Sequence, residues 1–298
     1  MSGAPFFIVG SARSGTTLLR VILNAHSEVA VPPESRFVTE LWTGSDEVDP
    51  EDFIERLALH RQFQGWNLDP ALVRKELGNG DHIRYSVAIE AVYVAYMRAH
   101  NKTRWGDKTP RYVLKLPFLA EMFPRAHFVH LIRDGRNVAL SYAKVPFGPK
   151  TAPRAAAVWS ERIMTGVREG RPLGSERYRE LRYEDLVADP ERRTRELCEF
   201  LELNFEPSML DYTEKVEEMV FAKASTYNPH VFEKPTAGVR SWETEMSRTQ
   251  VRLFEAVAGE TLEMFGYPRR HPAPRLTTKV AASLGRLGAP VGRLRRKA

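Results

Sequence analysis

Near its start the chain runs Pro5-Phe6-Phe7-Ile8-Val9, a short apolar stretch with a β-branched end, and Gly10 breaks it. Such a run reads as a buried strand. After Gly15, apolar residues recur at Leu18, Leu19, Ile22 and Leu23, which is helical spacing. A strand, a glycine-bounded loop and a helix in that order constrain the chain more than any other feature. Loop N–H groups and the positive end of the helix converge where an anion can sit.

The spacing from Gly10 to Gly15 is that of the nucleotide-binding loop G-x-x-x-x-G-K-[ST]. Thr16 stands where that motif has lysine, and Thr17 follows. The cradle for phosphate is kept, while the cation that reaches the terminal phosphates of ATP is missing. Arg13 supplies a different cation, planar and able to hold two oxygens at once. A P-loop kinase or NTPase is therefore the weaker alternative, and it requires ATP and Mg²⁺. The plainest alternative is a glycine turn that only joins strand to helix.

The 298 residues allow one large α/β domain or two small ones, and 43% hydrophobic with 28% charged residues is ordinary for a globular protein. The single cysteine, Cys198, excludes a disulfide framework and a cysteine metal cluster and fits a reducing compartment. No apolar run approaches the roughly 18 residues of a membrane span, and no signal peptide precedes the first strand. The expected location is the cytoplasm. From Arg269 onward there are nine Lys/Arg and no acid, so the net charge of +6 belongs to the tail and the rest carries −3. That basic tail, residues 268–298, reads as flexible, with contact to nucleic acid or an anionic membrane as its functional alternative.

Along the chain, strands are expected around residues 25–31, at Arg104–Asp107, at Ala126–Ile132 and at Tyr178–Tyr183. Helices are expected between them, with Glu34 in the first turn of a helix opened by Pro32-Pro33. Residues 84–100 form an amphipathic helix with Val87, Ala91, Val94 and Ala95 on one face. Residues 222–245 read as loop, and Thr249–Phe265 as a last helix. Alternation of strand and helix implies an α/β fold. It is a P-loop-type parallel β-sheet flanked by helices on both faces, a three-layer sandwich, in one domain over residues 1–267. Residues 32–101 form a helical cover over its site.

Arg133 closes one of these strands and Ser141 lies eight residues on, so both are suited to grip a phosphate at the carboxyl edge of the sheet. Lys108 closes another and can offset charge on a leaving phosphate. Glu34 can take a proton from a hydroxyl acceptor, with Asp107 as second candidate. Each residue has a structural alternative: Arg133 paired with a neighbouring acid, Lys108 solvated at a strand end, Glu34 simply favouring a helix dipole.

The segment Arg13-Ser14-Gly15-Thr16-Thr17 resembles the 5′-phosphosulfate loop of sulfotransferases that use 3′-phosphoadenosine-5′-phosphosulfate (PAPS), in the tyrosylprotein and bacterial branches. Arg133-Asp134-Gly135-Arg136-Asn137-Val138-Ala139-Leu140-Ser141 resembles the family's 3′-phosphate motif. Lys108-Thr109-Pro110 is similar to the catalytic-lysine segment of the tyrosylprotein branch. Pro110 stands where the cytosolic branch has a base histidine, so that version is not supported. Pro33-Glu34-Ser35-Arg36 resembles the glutamate segment. The resemblance implies that Arg13, Ser14, Gly15, Thr16 and Thr17 hold the 5′ end and Arg133 and Ser141 the 3′-phosphate. Tyr183 would pack near the adenine, and Arg240, or its rival Lys234, would meet the 3′-phosphate from a late loop. Arg13, Glu34 and Lys108 are then the catalytic set. The implied reaction moves a sulfuryl group from PAPS to a hydroxyl acceptor by in-line displacement, with no metal. The acceptor stays open among sugar, phenol, lipid, alcohol and peptide tyrosine, and a homo-oligomer stays open too. A non-catalytic binder of adenosine bisphosphate is the remaining alternative.

Overall fold

The computed structural model describes residues 3–211 and 241–272. The chain divides into two compact units, residues 1–132 with 166–237, and residues 133–165 with 238–298.

The first unit holds a five-stranded sheet in the order β2-β5-β1-β6-β7, all its pairs parallel. Its strands are β1 (Phe6–Gly10), β2 (Val29–Ala30), β5 (Arg104–Lys108), β6 (His127–Ile132) and β7 (Tyr178–Arg182). A separate antiparallel pair joins β3 (Glu47–Val48) to β4 (Ile83–Arg84). The central strands β1, β5 and β6 are buried at every position. That is why β1 reads as a continuous apolar run rather than an alternation. Successive residues still face opposite ways. Phe6, Ile8, Val129 and Leu131 join the core with α1 (Thr16–Asn24), α10 (Tyr183–Ala188) and α11 (Pro190–Phe200). Phe7, Val9 and Phe128 join the core with the cover. Helices therefore pack on both faces of this sheet, the three-layer α/β arrangement expected from the alternation of strand and helix.

The cover is built from α2 (Phe37–Glu40), α3 (Pro50–Leu59), α4 (Arg61–Gln64), α5 (Pro70–Glu76), α6 (Tyr85–Ala99) and α7 (Leu116–Met122). Asp49 and Asp69 cap α3 and α5, each followed by proline at the first helical position. The two Asp-Pro breaks read as loops in the sequence are these caps. Rings of Phe37, Phe63, Trp66 and Tyr93 meet inside it, and Tyr93 stacks on Trp105 with centroids 4.3 Å apart.

Four expectations need correction. Glu34 is not in a helix: residues 32–35 are irregular and α2 starts at Phe37. Of the face expected on α6, Ala91 and Ala95 are buried and Val94 packs partly buried against the core, but Val87 is exposed; the buried set also takes in Tyr85, Ala88, Ile89, Val92, Tyr93 and Met97, because aromatic partners on β5 and between α4 and α5 widen the face. Residues Pro110–Lys115 form a 3₁₀ turn before α7. Tyr183 opens α10 rather than ending β7.

In the second unit, Arg136 of α8 (Gly135–Ala143) has no exposed surface. It meets Asp134 and Glu255 at 2.8 Å each, and its guanidinium lies 3.6 Å from the Trp242 ring centroid. Glu255, on α13 (Arg248–Met264), also accepts the Arg270 and His271 amides at 3.0 and 2.8 Å. Trp242 begins a short helix, α12 (Trp242–Glu245), inside the stretch expected to be loop, and its N–H donates to Asn137 at 3.0 Å. The helix α9 (Ala152–Gly170) runs through the unit boundary.

Pairing Phe6 with Gly106 fixes β1 against β5. A Cβ on Gly106 would lie 2.3 Å from the Phe6 ring. Gly106→Ala is expected to cost about 1–3 kcal/mol by overpacking, part of it recovered by Phe6→Leu in the same chain. Urea unfolding of the single and double variants checks this; a loss below about 0.5 kcal/mol in Gly106→Ala would remove Gly106 as the key of the register.

Candidate active site

Three consecutive sheet neighbours deliver their carboxyl ends to one edge. In the parallel register Ile8 is opposite Lys108 and Gly10 is opposite Leu131. The loop after Gly10, the lysine at the end of β5 and the end of β6 therefore share that edge of the sheet, where ligands of open α/β folds bind.

The loop itself is held by backbone shape. Gly10, Arg13 and Gly15 have φ of 149°, 73° and 94°. Gly15 is in the left-handed region as the N-cap of α1, which has no side-chain cap. The first N–H groups of a helix lack intrahelical partners, so their satisfaction falls to something outside the helix. The Ser14 N–H donates to Ser11 O at 3.2 Å and closes the turn. Ser14 Oγ is buried in the loop without a hydrogen-bond partner. A Cβ on Gly10 would lie 2.5 Å from the Leu131 carbonyl oxygen, and one on Gly15 2.3 Å from the Tyr183 ring. Tyr183 is thus a wall of the cradle, packed on Gly15. An orphan hydroxyl, left-handed loop residues and an uncapped helix start fit an oxyanion group.

Beside the loop, Lys108 Nζ donates to Glu34 Oε1 at 2.9 Å. The lysine side chain is 7% exposed and the glutamate 36%, so the carboxylate is the reachable partner. Burial works against ionising Glu34, but the charge and hydrogen bond of Lys108, with Arg36 and Arg20, outweigh it and hold the carboxyl below the usual range. Glu34 sits there because of the turn that follows it. Arg36 has φ 42° and ψ −33°, and the Phe37 N–H donates to Ser35 O across it. That is close to the strained γ-turn with positive φ, an outlier of the kind concentrated at functional sites. Buried Arg20, one turn into α1, donates from Nε to Val31 O at 2.8 Å and ties the same segment to the loop's helix.

Asp107 is the other acid that the sequence offers as base. It is 0% exposed, with Tyr93 donating to Oδ2 at 2.9 Å and Oδ1 without a partner. Burial pushes its carboxyl up to about 6, against hydrogen bonding and Lys108. Around it, Ser35 receives no solvent: its N–H donates to Thr109 Oγ1 at 3.0 Å and its hydroxyl meets Tyr112 at 2.8 Å. Tyr93, Ser35, Thr109 and Tyr112 were missed in the sequence. Only the Lys108-Thr109-Pro110 and Glu34-Ser35 motifs pointed near them.

In the second unit, Ser141 is buried on α8 and Arg133 is half-buried, its carbonyl accepting from Trp159 Nε1 at 3.1 Å. Asp134 meets Arg136 at 2.8 Å. Arg240 and Lys234 lie outside the described residues. Two surface clefts along β7, of about 510 and 550 Å³, are lined by none of the candidate site residues.

A parallel sheet with a lysine-free phosphate cradle at its carboxyl edge, beside a Glu–Lys pair, defines a transferase-like nucleotide site. The sulfotransferase family model matches residues 5–207, and the chain belongs to that family. It is 27% identical to nodulation protein NoeE of Sinorhizobium fredii over 88% of this chain and 65% of NoeE. It is 29% identical to protein-tyrosine sulfotransferase A of Caenorhabditis elegans over 72% of this chain and 54% of that protein. The chain thus spans between half and two thirds of the length of these relatives. The sulfotransferase domain of the Synechococcus PCC 7002 olefin synthase shares the fold, with a TM-score of 0.56 at 22% identity over 97% of both chains. Mouse sulfotransferase SULT7A1, solved with PAP, superposes with a TM-score of 0.50 at 11% identity over 96% of this chain and 89% of that one.

The raised Asp107 value carries a sign. An acid held above its unfolded value binds its proton more readily when folded. Its contribution to stability is therefore greatest at low pH and is lost as pH climbs from about 4 to about 6. The ionised group costs the fold on the order of 3 kcal/mol. The difference in unfolding free energy between Asp107→Asn and the parent should move in the variant's favour by that order between pH 4 and pH 7. Denaturant unfolding across that range measures it, and a difference that is flat with pH contradicts the assignment.

Proposed function

We propose that this protein transfers a sulfuryl group from PAPS to a hydroxyl acceptor. The observation that carries the reading is the 2.9 Å pair of Lys108 and Glu34 at the same sheet edge as a phosphate cradle lacking the NTPase lysine. Loop N–H groups, Arg13, Ser14, Thr16 and Thr17 hold the 5′ end of the donor. The family motif assigns the 3′-phosphate to Arg133 and Ser141, and the late-loop contact to Arg240. PAP in the mouse relative's structure and the tyrosine sulfotransferase relatives support donor and acceptor class.

The chemistry follows from charge. Glu34, kept ionised by Lys108, takes the acceptor proton as the oxygen attacks sulfur. Lys108 turns from Glu34 to the oxygen that joins sulfate to phosphate and offsets the charge growing there as the S–O bond breaks. Arg13 and the start of α1 hold the equatorial oxygens, so positioning and electrostatic stabilisation supply most of the acceleration. No residue of the chain needs to form a covalent bond. The helical cover, residues 32–101, shapes the acceptor side.

Calorimetry with PAP and with ATP and Mg²⁺ tests the donor: PAP should bind and ATP should not compete. The opposite pattern returns the chain to the NTPase reading. Arg133→Ala should lose about tenfold or more in PAP affinity, as expected for a charge-assisted contact. Glu34→Gln should keep PAP affinity within about twofold while sulfate transfer from labelled PAPS, screened over phenol, sugar and alcohol acceptors, falls about 10²–10⁴-fold. Full transfer by Glu34→Gln would remove it as base.

A further inference from the structure

Beneath the Glu34–Lys108 pair lies a buried polar cluster that the reaction as written does not use. Tyr93 reaches it from α6, with its ring stacked on Trp105 and its hydroxyl on Asp107, two residues further along the same face of β5. Ser35 reaches it from the turn behind Glu34, and Thr109 and Tyr112 from the segment behind Lys108. The carboxyl at its centre is flanked in sequence by Lys108. The Ser35 and Thr109 hydroxyls approach it without meeting hydrogen-bond geometry at Oδ1. A fully buried carboxylate oxygen without a partner is costly. Next to a strained turn, it marks a place where stability has been yielded to position.

We propose that Asp107 is the positioning residue of the Glu34–Lys108 pair, holding the Ser35 turn and the end of β5 in one arrangement while ionised and releasing it on protonation. This rests on the sulfuryl-transfer reading for its purpose, though not for its measurement. Ionised, Asp107 accepts from Tyr93 and draws the Ser35 and Thr109 hydroxyls toward it, so Tyr112 is left to donate to Ser35. Protonated, it becomes a donor itself, and the Ser35 and Thr109 hydroxyls that pointed toward it must turn away to accept its proton or to donate to one another. The charged and titratable groups facing it are Lys108 on its own strand, Tyr93 on α6, Tyr112 on the 3₁₀ turn and Arg20 on α1. Burial, with the Asp107 charge, keeps both tyrosines neutral well above the ordinary phenol range. Among these groups, Asp107 is the one that changes charge near pH 6.

The test follows side-chain carboxyl carbons by NMR from pH 4 to pH 8, with no acceptor required. In the parent, Asp107 should titrate near 6, and the Glu34 signal should show a second inflection at the same pH, above its own titration. Asp107→Asn should abolish that inflection. Tyr93→Phe keeps the ring on Trp105 but removes a hydrogen bond to the charged form, so both the Asp107 midpoint and the Glu34 inflection should move up together. Tyr93→Phe also serves if Asp107→Asn does not fold. A Glu34 signal indifferent to both variants overturns the proposal and leaves Asp107 a buried structural acid. PAP calorimetry on the same samples separates the two claims. Lack of PAP binding by the parent defeats the transferase reading, whereas absence of the shared inflection in the parent, or its persistence in Asp107→Asn, defeats the positioning role.

Discussion

The register of β1 on β5 is the constraint on which the site depends. Both strands are buried on both faces and β1 is apolar on each, so apolarity alone does not choose its register: a slip of β1 would exchange one hydrophobic set for another. The choice is made by shape. Phe6 needs the space that Gly106 leaves, and that pairing brings Ile8 beside Lys108. Two residues after Ile8 the chain turns into the cradle at Gly10. A lysine and an anion loop arrive at one edge because a glycine one strand away admits a ring.

That placement puts a single lysine next to two carboxyls with opposite fates. Glu34 is partly open, hydrogen-bonded to Lys108, and pulled below the ordinary range. Asp107 is sealed and pushed up to about 6. Adjacent acids whose environments drive their proton affinities apart are how one site keeps a ready base and a separate titrating group. The charge of Lys108 favours the ionised form of both acids, and its hydrogen bond goes to Glu34.

The sheet, its order of strand and helix, and the cradle were legible because they rest on local signals: an apolar run, glycine spacing, helical periodicity. Glu34 and Lys108 were legible by motif alone, since 74 residues separate the partners of the ion pair. The helix expected at Glu34 failed because Pro32-Pro33 looks like a helix start, while the real constraint is the Arg36 turn, whose positive φ has no signature in an arginine. The buried face of α6 was read too narrowly, with Val87 on it, because the partners that turn Tyr93 inward, Trp66 and Trp105, leave no trace in the helix's own periodicity. The hydroxyl cluster around Asp107 was invisible for a similar reason. Serine, threonine and tyrosine become a network only when four elements converge.

The same logic sorts the two arginines of Arg133-Asp134-Gly135-Arg136. The sequence reading assigns the phosphate to Arg133 and no role to Arg136. Arg136 has no exposed surface, holds two carboxylates and the Pro268 carbonyl, and lies flat on Trp242. Removing it from those partners to meet a ligand would strip two buried carboxylates, Glu255 and Asp134, of their guanidinium, a loss of about 3–5 kcal/mol. Gly135 between the arginines is required by the same packing, since a Cβ there would lie 2.5 Å from the Trp159 ring. Arg133 keeps exposed surface where β6 ends. The motif therefore divides its labour: Arg136 anchors its own helix to α13, and Arg133 is the arginine left for the proposed ligand role.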